Sequence, residues 1–532
     1  MPSTGNAAWY FLHRHLAEGN GDRLAFLDPH RRLTYAGLAA ASARFAGALT
    51  ASGIGRERRV ALVLLDTVDF PVAFWGAIAA GVIPVPVNTL LTPEQTAYIL
   101  ADSRAEALVV SAPLAPALRP LLGALPALRR VVLVAPDGSA PAATGSELGW
   151  DAFLAQGTRL PAPVDASPDE VAFWLYSSGS TGLPKGARHL HASLQATAET
   201  YAAQVLGLTA EDVVFSAAKL FFAYGLGNAM GFPLWVGGTT VLMPDRPTPE
   251  STFAAIERFR PSVFFGVPTL FARQIAEFQR LRPDLSSLRF CVSAGEALPA
   301  HLLEAWRRLT GTEIIDGIGS TEATHMYISN RPGDVKPGST GRAVPGYELK
   351  IVDEQGAELP PGCAGRLLVR GESIAKCYWR NTRPTLVDGW LDTGDTYRLD
   401  ADGTYTYSGR SDDMLKVGGI WCSPVEIEAV LIEHPGVLEA AVVGREDADG
   451  LVKPEAWIVP SNPDGAVPLG LEAALVRHCK ARLAPYKYPR WVHLVPDLPK
   501  TATGKIQRFV LRQRPPPGPA AGSDQPVAME RA

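Results

Sequence analysis

The chain has 532 residues, 47% of them hydrophobic and 20% charged, with a formal net charge of −4; that length exceeds a single compact core, so two or more domains are expected. The slightly acidic balance excludes a general nucleic-acid binder, which would carry a basic excess. Five scattered cysteines (Cys291, Cys363, Cys377, Cys422, Cys479) form no C-x-x-C pair, which excludes a zinc or disulfide framework and suits a reducing cytoplasm.

In chain order, the opening segment MPSTGNAAWYFLHRHL has no basic stretch followed by an apolar run, so no secretory signal is expected. Helical periodicity over 36–52 leads into an apolar strand at 59–65. Residues 70–87 are apolar throughout, but Pro71, Pro84 and Pro86 interrupt them and Asp66 and Asp69 precede them. That predicts a short buried helix running into a buried strand, with no membrane span. A helix at 92–101 and strands at 107–111 and 131–134 follow, and strands recur at 171–176, 213–216, 263–265 and 290–293. Such alternation predicts parallel strands with helices on both faces, an α/β fold. From about Gly338 short strands with Gly-Pro turns (YELKIVDEQGAELPPG, GRLLVRG) predict a β-rich subdomain. A boundary is expected near GRSDDMLK, dividing a large N-terminal domain of several subdomains (1–411) from a smaller α/β domain (412–514). Residues 515–532, rich in Pro, Gly and Ala, read as a disordered tail.

The sharpest chemical signal is YSSGSTGLPKG at 176–186. A loop dense in Gly, Ser and Thr directly after an apolar strand offers backbone N–H groups and hydroxyls to a polyphosphate: Ser177, Ser178, Gly179, Ser180, Thr181 and Gly182, with Lys185 as a point charge. It is no Walker A loop, because Pro184 stands where Gly must precede the lysine. It is no nucleophile elbow either, because Ser178 stands where a Gly is required.

Together with SAGEALP (293–299), DGIGSTE (316–322), WLDTGD (390–395), GRSDDMLKVGG (409–419) and LPKTATGKIQR (498–508), this loop resembles the adenylate-forming superfamily. That superfamily includes acyl- and aryl-CoA ligases, peptide-synthetase adenylation domains and beetle luciferases. The likeness runs from about residue 20 to 512. It implies activation of a carboxylic acid with ATP to an acyl-adenylate, then transfer of the acyl group to a thiol, that of coenzyme A or of a carrier protein. By this resemblance Glu322 holds Mg²⁺, a hard ion that favours carboxylate oxygen. Thr181 and Thr321 contact phosphate oxygens, and Gly295, Glu296 and Ala297 form a wall for adenine. Asp316 lies near the adenine amino group, followed by Gly317 and Ile318, the latter where many relatives have Tyr. Asp395 accepts the ribose hydroxyls with Arg410 assisting. Lys505 bridges the reacting carboxylate and the α-phosphate, the small domain is mobile about a hinge at Asp412, and rotation brings Lys416, Gly418 and Gly419 to the pantetheine arm.

The stretch KLFFAYGLGN (219–228), and His325 followed by ISN, are similar to benzoate–CoA ligases. Phe222, Ala223, Tyr224, Gly319 and His325 would then make a short pocket for one aromatic ring. Benzoate is the first expectation. Thr324 beside that pocket keeps 2-aminobenzoate and hydroxybenzoates open, since its hydroxyl could bond a ring substituent. The acceptor thiol and the oligomeric state, a homodimer included, stay open in the sequence.

Overall fold

The protein is described from a computed structural model covering residues 4–178, 184–380, 386–417, 420–447, 451–461, 470–500 and 506–514. It divides into two compact units, one of residues 1–393 and 398–407, the other of 394–397 and 408–532.

The large unit is built on two sheets, one wholly and one mainly parallel. In the nine-stranded one, strands Ile314–Gly319, Phe290–Ser293, Val263–Gly266, Val213–Ser216, Thr239–Val241 and Leu24–Leu27 lie side by side and parallel. Antiparallel strands close both edges: Arg32–Thr34 at one, Met326–Ser329 and Arg342–Ala343 at the other. The five-stranded sheet, all parallel, runs in the order Ile83–Pro86, Arg59–Val63, Ala107–Ser111, Arg130–Val134, Leu148–Gly149. Their central strands are buried along nearly their whole length, as expected for parallel strands covered on both faces.

The apolar stretch after Asp66 becomes the helix Asp69–Ala79, all of it buried, followed by the strand Ile83–Pro86. Its aromatic side chains Phe70, Phe74 and Trp75 are fully enclosed, each stabilising the unit by roughly 1.5–3 kcal/mol. Asp69 at its first turn is paired with Arg31 at 2.6 Å. The helix crosses Tyr35–Ala51 closely enough that a Cβ on Gly76 would meet the Ser42 carbonyl at 2.6 Å, so glycine there permits the crossing. The helix Pro93–Ser103 begins at a capping box of Thr92 and Gln95 with Pro93 inside the first turn, worth about 1 kcal/mol.

A hairpin of Val171–Ser178 and Pro184–Leu190, extended by the two-residue strand Cys377–Tyr378, forms a separate small sheet. The β-rich segment is a four-stranded sheet of Glu348–Val352, Ala364–Arg370, Leu391–Leu399 and Tyr405–Arg410, and the division between units runs through its last two strands.

The small unit packs the helices Pro424–Ile432 and Leu471–Lys480 on a sheet of Val437–Glu446, Val452–Pro460 and Trp491–Leu494. A hairpin of Leu415–Val417 and Ile420–Cys422 precedes it. Among the described residues no helix is long and apolar enough to cross a membrane.

Candidate active site

In open α/β sheets, ligands bind beyond the carboxyl ends of the strands. The strand Ile314–Gly319 delivers four of the expected residues, Asp316, Gly317, Ile318 and Gly319, to that edge of the nine-stranded sheet. Asp316 is buried, and burial pushes its carboxyl well above the usual range. Its Oδ1 has no hydrogen-bond partner among the described residues. A Cβ on Gly317 would meet the Met326 sulfur at 2.4 Å, and one on Gly319 the His325 carbonyl at 2.3 Å. Both glycines are therefore required by the fold itself. On the neighbouring strand end, Gly295 has φ +92° with open space around it, and Ala297 is exposed.

Beyond this strand the chain turns through Ser320 and Thr321 to Glu322. The Glu322 carboxylate accepts a 2.6 Å hydrogen bond from the Tyr378 hydroxyl and a longer one, 3.3 Å, from Ser177, both at Oε1. Its backbone carbonyl accepts from Ala375 N–H at 2.7 Å. Burial and the adjacent carboxylate raise the Tyr378 phenol above its ordinary value, so it is a neutral donor. Ser177 stands opposite Lys185 across the hairpin. Gly179, Ser180, Thr181 and Gly182 lie outside the described residues, as does the Ser178 side chain. Hydrogen bonding thus joins the hairpin that carries the Gly/Ser/Thr loop to Glu322.

Thr324 and His325, two and three residues on, separate sharply. Thr324 has φ +68° and is fully buried. Its hydroxyl donates to the Ser373 carbonyl at 3.1 Å and pairs with His189 Nδ1 at 3.0 Å. The expectation that it could bond a ring substituent is corrected: the left-handed turn directs it into the protein, where its hydrogen-bonding capacity is taken up. His325 lies among rings, with centroids 4.4 Å from Phe232, 5.3 Å from Tyr201 and 5.5 Å from Tyr224. Burial lowers its pKa to about 3, the Tyr224 carbonyl opposing only in part, so the imidazole is neutral. A Cβ on Gly227 would meet the ring at 2.4 Å; glycine at that place admits it.

Tyr224 sits in the short helix Ala223–Leu226, which continues into a π-helical turn, Gly227–Gly231. Its hydroxyl lies 3.2 Å from the carbonyls of Gly266 and Val292, on two adjacent strands. Phe222 and Ala223 are half-buried, with Phe222 edge-on to Phe221 at 4.6 Å. Lys219, in the same segment, bonds the carbonyls of Met243 and Asp245 (the latter at 2.7 Å). Leu220 N–H lies 3.3 Å from the Asp66 carboxylate, which burial pushes up to about 6. Both ionisable groups anchor the segment to the sheets.

In the second unit, Asp395 is buried and paired with Arg410 at 3.1 Å. Gly394, at φ +69°, lies so close beneath Arg410 that a Cβ would meet the guanidinium at 2.6 Å. Asp412 occupies a short 3₁₀ turn, Ser411–Asp413, whose Asp413 is bound by Arg512. Lys416 falls on the strand Leu415–Val417; its side chain, Gly418, Gly419 and Lys505 lie outside the described residues. A cavity of about 460 Å³ lies elsewhere in the large unit, lined by Arg56, Arg59, Trp174, Arg188 and Trp379 among others, and none of the expected residues lines it.

Sequence reasoning missed Tyr378 and His189. Each meets its partner across 56 and 135 positions respectively, and no local motif signals such a contact.

The chain matches two families, the AMP-binding enzyme over residues 13–379 and the AMP-binding enzyme C-terminal domain over 426–505. It is 48% identical to a benzoate–CoA ligase of Thauera aromatica, covering 96% of each chain. It is 46% identical to a 4-hydroxybenzoate–CoA/benzoate–CoA ligase of Rhodopseudomonas palustris, covering 96% of this chain and 94% of that one. Among solved structures it resembles an anthranilate CoA ligase in complex with anthranoyl-AMP (TM-score 0.91, 41% identity, 96% and 97% covered). It also resembles a benzoate CoA ligase from Burkholderia xenovorans LB400 (TM-score 0.86, 44% identity, 96% and 100% covered). By these matches the chain belongs to the AMP-binding enzyme family, the adenylate-forming ligases.

Proposed function

We propose that this enzyme activates a small aromatic carboxylic acid, benzoate foremost, to its acyl-adenylate and then to the coenzyme A thioester. The observation that carries the reading is the cluster of Tyr201, Tyr224 and Phe232 packed round buried, neutral His325, three residues beyond Glu322. An apolar, uncharged surround of this kind suits a flat aromatic acid better than a long flexible chain.

In the first step a carboxylate oxygen forms a bond to the α-phosphorus while the bond to the bridging oxygen breaks, and pyrophosphate leaves with the electron pair. Two anions must approach, so positive charge is needed at the site. Glu322 is the residue we assign to a divalent cation. Among the described residues no three His, Cys, Asp or Glu side chains gather to hold a metal. A single carboxylate nevertheless fits Mg²⁺, which keeps its waters and takes further ligands from substrate phosphates. When bound, that ion supplies charge which stabilises the phosphate oxygens. Lys505 is assigned the same task on the reacting oxygens, a contribution of roughly 3–4 kcal/mol for a donor of this kind. In the second step the thiol sulfur bonds to the acyl carbon, its proton passes to solvent, and AMP departs. Lys416, Gly418 and Gly419 are assigned to the pantetheine arm and Asp412 to the hinge.

The likeness to an anthranilate CoA ligase favours 2-aminobenzoate as the second substrate. Thr324 does not supply its recognition, because that hydroxyl is engaged elsewhere. The test is pyrophosphate release with benzoate, 2-aminobenzoate, 4-hydroxybenzoate, propionate and octanoate, each with and without coenzyme A. The highest kcat/KM is expected for benzoate, with coenzyme A required for turnover. Preference for octanoate would overturn the aryl reading. Acceleration by a phosphopantetheinylated carrier protein and not by coenzyme A would overturn the acceptor.

A further inference from the structure

The segment 375–379 contacts Glu322 at both of its ends. Ala375 N–H donates to the Glu322 carbonyl at 2.7 Å, and the Tyr378 hydroxyl donates to Oε1 at 2.6 Å. The segment is itself fixed to the phosphate-loop hairpin. Cys377 and Tyr378 pair with Arg188 and Ala187, Lys376 N–H donates to the Arg188 carbonyl, and Trp379 N–H donates to the Gly186 carbonyl. The Trp379 indole adds a 2.8 Å bond to the Asp102 carbonyl and packs on Trp174 at 4.8 Å. A phenol mounted this way has little freedom, and its bond to a carboxylate has the length of a charge-assisted O–H···O⁻ contact.

From this geometry we infer that Tyr378 is a positioning residue for the metal-binding carboxylate: it holds Glu322 Oε1 and presents Oε2 to the divalent cation of the nucleotide. The inference rests on the assignment of Glu322 to that cation. A carboxylate on a freely rotating side chain must lose that freedom on binding the ion, whereas one already clamped at one oxygen has lost it. Outer partners of metal ligands typically change metal affinity by about 10–100-fold when removed.

The test is calorimetric binding of ATP in the absence of any acid, at a series of free Mg²⁺ concentrations, for wild type, Tyr378→Phe, Tyr378→Leu and Glu322→Gln. Tyr378→Phe is expected to raise the Mg²⁺ concentration for half-maximal binding about tenfold while leaving ATP affinity at saturating Mg²⁺ nearly unchanged. Tyr378→Leu, which removes the ring as well, should shift the midpoint in the same direction and guards against a misfolded first variant, with melting temperatures recorded for each. If Glu322→Gln shifts the midpoint and neither Tyr378 variant does, the positioning role is wrong and the metal assignment stands. An unmoved midpoint in Glu322→Gln removes the metal assignment and the positioning role with it. Equal loss of ATP affinity at every Mg²⁺ concentration in the Tyr378 variants would make the residue purely structural.

Discussion

Neighbouring residues of one motif can have opposite fates, as 322–325 show. Glu322 is half-buried under two hydroxyls, Thr324 is turned into the protein, and His325 is packed between rings. Sequence patterning located the motif but could not orient its side chains. The orientation of Thr324 depends on a left-handed backbone and on His189, 135 positions away. Ala223, the smallest side chain beside Phe222, Tyr224 and His325, is the place assigned to the ring's edge, and it stands half-buried at the start of its helix. Enlarging it to Leu should overpack a filled pocket by about 1–3 kcal/mol. At roughly 1.4 kcal/mol per tenfold, kcat/KM for benzoate should fall by about one to two orders of magnitude. Propionate, which does not fill the pocket, should lose less. Pyrophosphate release for the two acids measures both, and an unchanged ratio would place Ala223 away from the ring.

Strands and helices with strong periodicity were readable because burial fixes them: 107–111, 213–216 and 290–293 carry the same bounds in sequence and structure. The strand Thr239–Val241 was not, since three residues carry no period and its place is set by strands paired on both sides. The small unit shows how such elements are tied together. Glu428, on the helix Pro424–Ile432, accepts the Val442 backbone N–H at 2.7 Å and three bonds at 2.7 to 3.1 Å from Arg508, which opens the helix Arg508–Gln513. One carboxylate therefore links two helices and a strand. Arg508→Ala leaves that buried charge without its cation and should destabilise the small unit by about 3–5 kcal/mol. Adding Glu428→Gln, which keeps the acceptor for Val442, should recover part of the loss. Hydrogen exchange across 437–460 reports it, and protection unaltered by Arg508→Ala would show the pair to be dispensable.

At the scale of the molecule, acid sensitivity follows from its histidines. Burial lowers His189 and His325 to about 3 and His191 to about 4, against 6.5 when unfolded. Below pH 6.5 the unfolded chain takes up protons that these folded rings refuse, so stability is intact above that value and lost as pH falls toward 3 to 4. At pH 5.5 each contributes a loss of about 1.4 kcal/mol. Asp66 acts in the opposite sense. Its folded value near 6 exceeds the unfolded 3.8, and burial holds Asp316 well above that range too, so both regain stability as pH falls and offset part of the histidine loss. Between pH 7.5 and 5.5 the melting temperature of His189→Gln should fall by less than that of wild type, even if the variant lowers the plateau; identical slopes would contradict the burial of that ring. The division of labour between units has its own signature. Lys505→Ala should abolish adenylate formation yet spare thioester formation from synthetic benzoyl-adenylate and coenzyme A, and equal loss of both steps would refute the role assigned to it.

Tyr224 is fastened at two places, by its backbone in a helix and by its hydroxyl on the carbonyls of two adjacent parallel strands. The spacing of those strands, about 4.8 Å, is set by the ladder between them and does not breathe with the ligand. If Tyr224 walls the acid pocket as proposed, its phenol cannot swing aside for a bulkier acid without abandoning both carbonyls. A wall of this kind behaves as a gauge and not as a spring. Tolerance to added volume on its side of the pocket should end abruptly, with small substituents costing little and the first one too many costing nearly everything.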